Sequence, residues 1–384
     1  MKFLVIGAGK QGCACAFDLL QQPATTAVIL ADKYIDRGIP MFLDAYRGKG
    51  KLELLKLDLA DPAAVRAGMN RVHSVLSAAP YYYNVDLARV AVASGVHFAD
   101  LGGNTELVKQ QKELHAEAQR RGVSVVPDCG LAPGMVNILA GEGIQRLDTV
   151  ESVKAFVGGL PQHPEPPLNY MVVYSLEGAL DYYTTPSWIL REGKAVTVDA
   201  LSELEDVRFP EPLGTLEAFH TAGGISTMPF EYEGKVRSME YKTLRYPGHV
   251  AIMRPIRELG LLDTVPLAVD GVEISPRDVF IAAVSPKLTK PQGKDLVALR
   301  VEVRGTRAGK AAGTRWQLVD RYDEQHHVSA MMRTTGYSLA ITGIMQVDGR
   351  IAKRGVYVPD ECVPAAPYIT ELAKRGVKID ETAI

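Results

Sequence analysis

Gly7, Gly9 and Gly12 fall in the run Gly7-Ala8-Gly9-Lys10-Gln11-Gly12, which has the spacing G-x-G-x-x-G. That spacing brings backbone amides close to phosphate when a strand precedes it and a helix follows. Both flanks are present. KFLVI at 2–6 is a short β-rich run, and residues 13–21 carry apolar side chains at helical spacing. Gly7 then makes the tight turn, Gly9 lets the chain approach a pyrophosphate, and Gly12 allows helix and strand to pack closely; Lys10 and Gln11 line the same turn. The phosphates of a dinucleotide would sit on the helix N-terminus, where free N–H groups and the dipole favour anions. Asp32 ends the next apolar run, 27–31, about 20 residues on, where an acid binds the ribose 2′-hydroxyl. A carboxylate there repels a 2′-phosphate and favours NAD over NADP, although Lys33 and Arg37 are close by. Asp58, at the end of a third strand, either reaches the adenine edge or caps a turn. Ser77, Ala78 and Pro80 end a fourth strand, where small residues let a cofactor lie close, and Tyr82, Tyr83 and Asn84 follow on the nicotinamide side.

Positioning these groups requires alternating strands and helices, and the first 126 residues supply them. Strands are expected at 2–6, 27–31, 52–57, 72–77, 96–100 and 123–126. Between them come helices opened by Asp61-Pro62, at 84–94 and, as one long helix, at 105–121. This order implies a doubly wound parallel sheet. After about residue 150 the helical patterns fade. Strand-like runs at 150–156, 170–175, 194–199, 237–243, 296–304, 316–320 and 328–332 imply a second α+β domain with a mostly antiparallel or mixed sheet. The Pro-rich 160–168 reads as a rigid loop, and helices return at 335–348 and 364–375. The expected division is a Rossmann domain over 1–126 and a second domain over 127–333. A helical segment, 334–384, is expected to pack back on the first domain.

The bulk numbers exclude several classes. With 384 residues, 47% hydrophobic and 23% charged, the chain can bury a sizeable core. A net charge of −2 and no clustered Lys/Arg argue against nucleic acid. There is no apolar run long enough to span a bilayer. The apolar start is cut short by glycines and reads as a strand rather than a signal peptide. Four cysteines, Cys13, Cys15, Cys129 and Cys362, show neither paired zinc spacing nor a disulfide framework, so no metal is expected and a cytoplasmic setting is.

Longer blocks carry a resemblance. ADLGGNTELV at 99–108 and PDCGLAPGMVNILAG at 127–141 resemble the saccharopine dehydrogenase family. The stretch 157–186, with GTLEAFHTAGG at 214–224 and YKTLRYPGH at 241–249, resembles its lysine 6-dehydrogenase branch. The resemblance runs over nearly the whole chain, including GVYVPDECVP at 355–364, and it implies that the domain over 127–333 carries the substrate-binding and dimerisation contacts. It implies an NAD-dependent oxidoreductase that oxidises the ε-carbon of L-lysine, hydrolyses the imine and releases ammonia, acting as a homodimer or higher homo-oligomer. Two other readings stand beside it: a saccharopine-type enzyme acting on a carboxyalkylated amine, and a non-catalytic NAD(H)-binding redox sensor.

Such chemistry needs a neutral amine, whose ordinary pKa is about 10.4, and hence a proton acceptor. The candidates are Asp128 before the Gly130–Gly134 turn, His249 after a Pro-Gly turn, and Tyr82 on the cofactor side. An amino-acid carboxylate wants a guanidinium, for which Arg245 is first choice with Lys242 assisting, and an α-ammonium wants a carboxylate, for which Glu177 is the candidate. Cys129 has no paired histidine pattern and reads as a packed thiol.

Overall fold

The computed structural model describes residues 1–384. Seven strands form the first sheet, all parallel, in the spatial order Gly355–Val356, Ser124–Val126, His97–Asp100, Ser74–Ser77, Lys2–Ile6, Ala27–Asp32, Leu52–Lys56. The chain order reverses between Lys2–Ile6 and Ser74–Ser77, and a crevice opens at the carboxyl ends of the strands there. The glycine run leaves Lys2–Ile6 at that point and enters the helix Lys10–Gln21. Local chemistry sets the edges of these units. Asp61 accepts from the Ala63 and Ala64 amides at 3.0 Å each, with Pro62 at the first helical position. The expected long helix at 105–121 is instead two, Thr105–Lys112 and His115–Arg120.

The second sheet has nine strands. Its main path runs Glu205–Arg208, Thr215–His220, Val236–Arg245, Thr149–Pro161, Asp295–Arg307, Lys310–Arg321, Asp380–Ala383, with Ser187–Arg191 and Lys194–Val198 attached at the side. Only the pairing of Val236–Arg245 with Thr149–Pro161 is parallel, so the sheet is mixed, as expected. Two strand expectations fail. Residues 170–175 form no strand, and 328–332 hold a single bridge residue, Val328, followed by the start of the helix Ala330–Val347. That helix begins there because Asp295, from the second sheet, accepts the Ala330 and Met331 amides at 2.7 and 2.9 Å, while Ser329 accepts from Met332. A carboxylate at a helix N-terminus satisfies orphan donors and complements the dipole.

Ala330–Val347 is buried on all sides. Its Gly336 lies so close to Lys10–Gln21 that a Cβ there would meet the Ala14 Cβ at 2.6 Å and the Gln11 carbonyl at 2.7 Å. The largest apolar core therefore runs from Phe3 and Val5 through Leu339 and Ile341 to Val301 and Trp316, joining both sheets. Burying apolar area at roughly 25 cal/mol per Å² is what holds the two sheets together.

Candidate active site

At the dinucleotide turn each glycine has a distinct reason. Gly7 has φ +97°, and a Cβ on it would lie 2.7 Å from the Ala78 carbonyl oxygen. A Cβ on Gly12 would lie 1.8 Å from the Gly7 carbonyl oxygen. Gly9 faces open space and caps the helix without any side-chain bond. Free amides facing an open approach are what a pyrophosphate requires. Lys10 is exposed beside it, and Gln11 keeps a buried Oε1 without a partner. Asp32 is held by two backbone amides: Ala8 donates to one oxygen at 2.9 Å and Tyr34 to the other at 2.7 Å. Lys33 is drawn off to Asp58, 2.9 Å away, and the Arg37 guanidinium lies over the Tyr34 ring at 4.2 Å. Asp58 is thus an exposed ion-pair and turn residue, also accepting from the Ala60 amide at 3.1 Å. Ser77 is fully buried and donates to Asn84 at 2.9 Å, which locks the strand end. Ala78 closes on Gly7, and Pro80 is exposed at the crevice.

Beyond the turn, Asp128 occupies an unusual position. It is 1% exposed with φ +63°, and neither carboxylate oxygen has a hydrogen bond of good geometry. Its carboxyl fits only because residue 102 is glycine: a Cβ there would lie 1.7 Å from Asp128 Oδ1. Burial first, helped by the Asp100 and Asp360 carboxyls and opposed by the nearby Ser226 hydroxyl and Gly103 amide, pushes Asp128 up to about 7. That range suits a group that must take up and release protons near neutral pH. Asp100 is the strut beneath it: it accepts from Gly102 at 2.7 Å, Asp128 N at 3.3 Å and Gln111 at 2.7 Å. Asp360 is likewise pushed up to about 7 by burial and by Glu361, and takes a hydrogen bond from Tyr232 at 3.1 Å.

Of the tyrosines at 81–83, it is Tyr81 that neighbours Gly103 and Tyr182. Tyr82 is 61% exposed and touches only its two tyrosine neighbours among the aromatics. The expectation for Tyr82 as proton acceptor is corrected accordingly, since its side chain faces solvent and the ring next to Gly103 and Tyr182 is that of Tyr81. Tyr182 stands between two halves of the site. Burial first, then Tyr241 and Asp128, push its phenol up to about 12, so it is a neutral donor. Gly224 makes room for Tyr241, whose ring would lie 2.4 Å from a Cβ there.

The strand Val236–Arg245 separates Arg245 from Lys242. Side chains alternate across a strand, so residues three apart face opposite sides. Lys242 is buried but bound, donating to Glu205 at 2.6 Å and to the Glu203 carbonyl at 2.8 Å. Its assisting role is corrected on that ground. The neighbouring Glu203, His220 and Glu240 could in principle hold a cation, yet their carboxylates already face Arg191 and Lys154. Arg245, on the other side, is 3% exposed. Its Nε donates to the Tyr183 hydroxyl at 3.2 Å and its Nη1 to the Leu244 carbonyl at 2.8 Å, and its guanidinium lies 4.8 Å from the centre of the Tyr170 ring. Four Lys or Arg residues are buried in this protein, and the Arg375 side chain is buried as well, against Asp18 at 2.6 Å. Lys242 pairs with Glu205, Arg277 with Asp181 and Arg333 with Asp320; Arg245 has no carboxylate within 4.0 Å. Tyr170 adds a buried hydroxyl without a partner.

His249 lies beside Tyr183, not beside Asp128. Its Nδ1 meets the Leu168 carbonyl at 3.2 Å and its Nε2 the Tyr183 hydroxyl at 3.0 Å. Burial first, then the Arg245 charge, pull it down to about 3. With both nitrogens engaged and its basicity lost, His249 is corrected as a proton acceptor. Glu177 is exposed in the first turn of the helix Leu176–Thr184 and forms no ion pair. Sequence reasoning missed Tyr170, Tyr182, Tyr183 and Ser226. Tyrosines in NYMVVY and LDYYTT give no local signal, and only the fold gathers them around Arg245 and Asp128.

Two family models match the chain: the saccharopine dehydrogenase NADP binding domain over residues 3–126 and the saccharopine dehydrogenase C-terminal domain over residues 130–377. The mitochondrial alpha-aminoadipic semialdehyde synthase of Bos taurus is 24% identical over 370 residues, covering 79% of this chain. The chain spans only 40% of that protein, and 21–27% of its counterparts in mouse, rat and Arabidopsis thaliana. The NADP(+), L-glutamate-forming saccharopine dehydrogenase of Schizosaccharomyces pombe is 21% identical over 404 residues, covering 86% of this chain and 88% of its own. Among solved structures, apo saccharopine dehydrogenase (L-Glu forming) from Saccharomyces cerevisiae superposes with a TM-score of 0.80 at 19% identity, covering 100% of this chain and 99% of that one. Homospermidine synthase from Legionella pneumophila, in complex with NAD, gives 0.67 at 10% identity over 100% and 91%. At these identities the superpositions establish the fold.

Proposed function

The chain belongs to the saccharopine dehydrogenase family, and from that premise we propose that it is an oxidoreductase of an amino-acid side-chain amine, L-lysine, with NAD as cofactor. The observation that carries the substrate reading is Arg245, the one buried cation without a carboxylate. An unpaired buried charge costs several kcal/mol, so its missing partner is expected from a ligand. One open guanidinium edge, over the Tyr170 ring at 4.8 Å, suits one carboxylate. Saccharopine carries three. The names of the relatives favour that compound as a second reading, which would need further unpaired cations in the cleft.

In the proposed reaction the α-carboxylate of lysine docks on Arg245 and the stem runs past Tyr241 and Tyr182 toward Asp128. The ε-ammonium gives one proton to Asp128. Keeping an amine of pKa about 10.4 neutral at pH 7 costs about 5 kcal/mol, which the desolvating tyrosine wall and the carboxylate acceptor must offset. A bound nicotinamide supplies the acceptor for the hydride from the ε-carbon. The substrate iminium left behind takes up water and splits into aldehyde and ammonium, so the net products beyond the reduced dinucleotide are one aldehyde, one ammonium and one proton. Tyr182, a neutral donor, can hold the amine nitrogen or the attacking water in line.

For the cofactor, Asp32, held by two backbone amides at the end of its strand, would accept from a ribose hydroxyl, while Lys33 and Arg37 are engaged elsewhere. These features support NAD, whereas the matching family model and the yeast relatives are named for NADP. The test is absorbance at 340 nm with NAD or NADP and a panel of L-lysine, ornithine, saccharopine and 1,5-diaminopentane, with ammonia assayed in parallel. Reduced NAD with stoichiometric ammonia from L-lysine supports the proposal. Reduction with saccharopine and no ammonia supports the second reading. Silence across the panel removes both.

A further inference from the structure

We propose that Tyr183 and His249 are positioning residues that set the plane of Arg245 through a directed chain of hydrogen bonds anchored on a backbone carbonyl. The proposal rests on the reading of Arg245 as the carboxylate anchor. The direction of every link follows from the first. The Leu168 carbonyl can only accept, so the His249 nitrogen 3.2 Å away, Nδ1, carries the proton. In the neutral ring Nε2 is then a bare lone pair, and the Tyr183 hydroxyl 3.0 Å from it must donate. The Tyr183 oxygen thereby turns a lone pair to the Arg245 Nε–H at 3.2 Å. Burial keeps the ring neutral, so the chain holds one polarity across the working pH range.

The ring itself cannot turn freely. It stacks on Phe219 with centroids 6.2 Å apart and planes at 9°, and the Tyr170 and Tyr183 rings meet it edge-on at 5.6 and 5.8 Å. With Nε tied to Tyr183 and Nη1 to the Leu244 carbonyl, two of the three guanidinium nitrogens are fixed by protein acceptors, and Nη2 takes none. A guanidinium clamped on one side and open on the other is prepared for a planar anion, and preorganisation of this kind raises affinity by removing the cost of ordering the side chain.

The test compares L-lysine with 1,5-diaminopentane, the same diamine without the carboxylate, by steady-state kinetics and by calorimetric Kd of L-lysine without dinucleotide. Tyr183→Phe and His249→Leu are expected to raise KM and Kd for L-lysine about tenfold or more, the scale of a lost hydrogen bond to a charged group. The kcat for L-lysine should stay within about twofold, KM for 1,5-diaminopentane should not move, and His249→Gln, which keeps an acceptor for Tyr183, should recover most of the loss. A purely structural role would instead move both substrates and kcat together, and would overturn the proposal. Arg245→Met separates the two levels. If it erases the preference for L-lysine while Tyr183→Phe does not, positioning is refuted and the anchor stands. If it leaves the preference intact, or if the unsubstituted protein does not bind L-lysine, the anchor falls and the positioning with it. Tyr183→Phe removes one oxygen from a buried ring, so it decides the matter even if His249→Leu does not fold.

Discussion

Replacing Asp128 with Asn should make the protein more stable and far less active, and the gain in stability should appear only above acid pH. The folded-state carboxyl keeps its proton up to about 7, whereas in the unfolded chain it releases it near 3.8. Between those values the native state binds more protons, so stability falls as pH rises through the window and the loss is complete above the folded pKa. Three units at 1.36 kcal/mol each put the full loss at about 4 kcal/mol. Spread over an unfolding entropy of about 2.1 cal/mol/K per residue for a chain of this length, that is a Tm difference of about 5 °C. Asn removes the buried charge at nearly constant shape. It also tolerates the left-handed backbone at φ +63°, which an alanine would occupy with strain. Thermal unfolding followed by near-ultraviolet dichroism at pH 4 and at pH 8.5 measures the effect. The variant and the parent should melt together at pH 4, and the variant should melt several degrees higher at pH 8.5. The kcat should fall by about 10²–10⁴, with loss of the limb that rises through pH 7. A difference in Tm that does not depend on pH, or an unchanged pH–rate profile, would refute both the buried-carboxyl account and the proton-acceptor role.

Other substitutions discriminate the remaining assignments. Asp32→Ala should weaken NAD at least about tenfold and NADP much less, since the lost bond is to a ribose hydroxyl; an unchanged ratio of the two Kd values removes Asp32 from the ribose site. Gly12→Ala places a Cβ 1.8 Å from the Gly7 carbonyl oxygen, so dinucleotide binding, read by fluorescence quenching, should be lost or the protein should fail to fold; near-normal binding would contradict the turn geometry. Lys242→Met should lower Tm while leaving KM for L-lysine within about threefold, because its ammonium serves Glu205 and Glu203 rather than the ligand side; a large rise in KM would restore Lys242 to the site.

Local chemistry made part of this protein legible. The strand–turn–helix at residues 2–21 and the cap at Asp61 depend on neighbours in sequence, and each stands where its residue types require. Legibility failed where a distant group decided the outcome. Residues 328–332 look like a strand, yet Asp295, over thirty positions away, accepts their amides and starts a helix. The run 170–175 alternates like a strand but finds no strand partner and becomes the wall over Arg245. Three consecutive tyrosines at 81–83 offer no local basis for choosing Tyr81 over Tyr82.

The sequence by itself determined the two-domain plan, the dinucleotide turn and the presence of Asp128 and Arg245 as chemically apt groups, because glycine spacing, periodicity and residue type act at short range. Only the tertiary structure decided which groups are free. Whether a lysine has a carboxylate beside it, whether a histidine keeps its basicity and whether an aspartate loses its water are questions of partners and burial. Chain segments far apart meet to answer them: Glu205 for Lys242, Tyr183 and Leu168 for His249, Gly102 and Asp360 for Asp128. Charge and proton affinity depend on the surrounding dielectric and dipoles, and those are assembled only when the chain is folded.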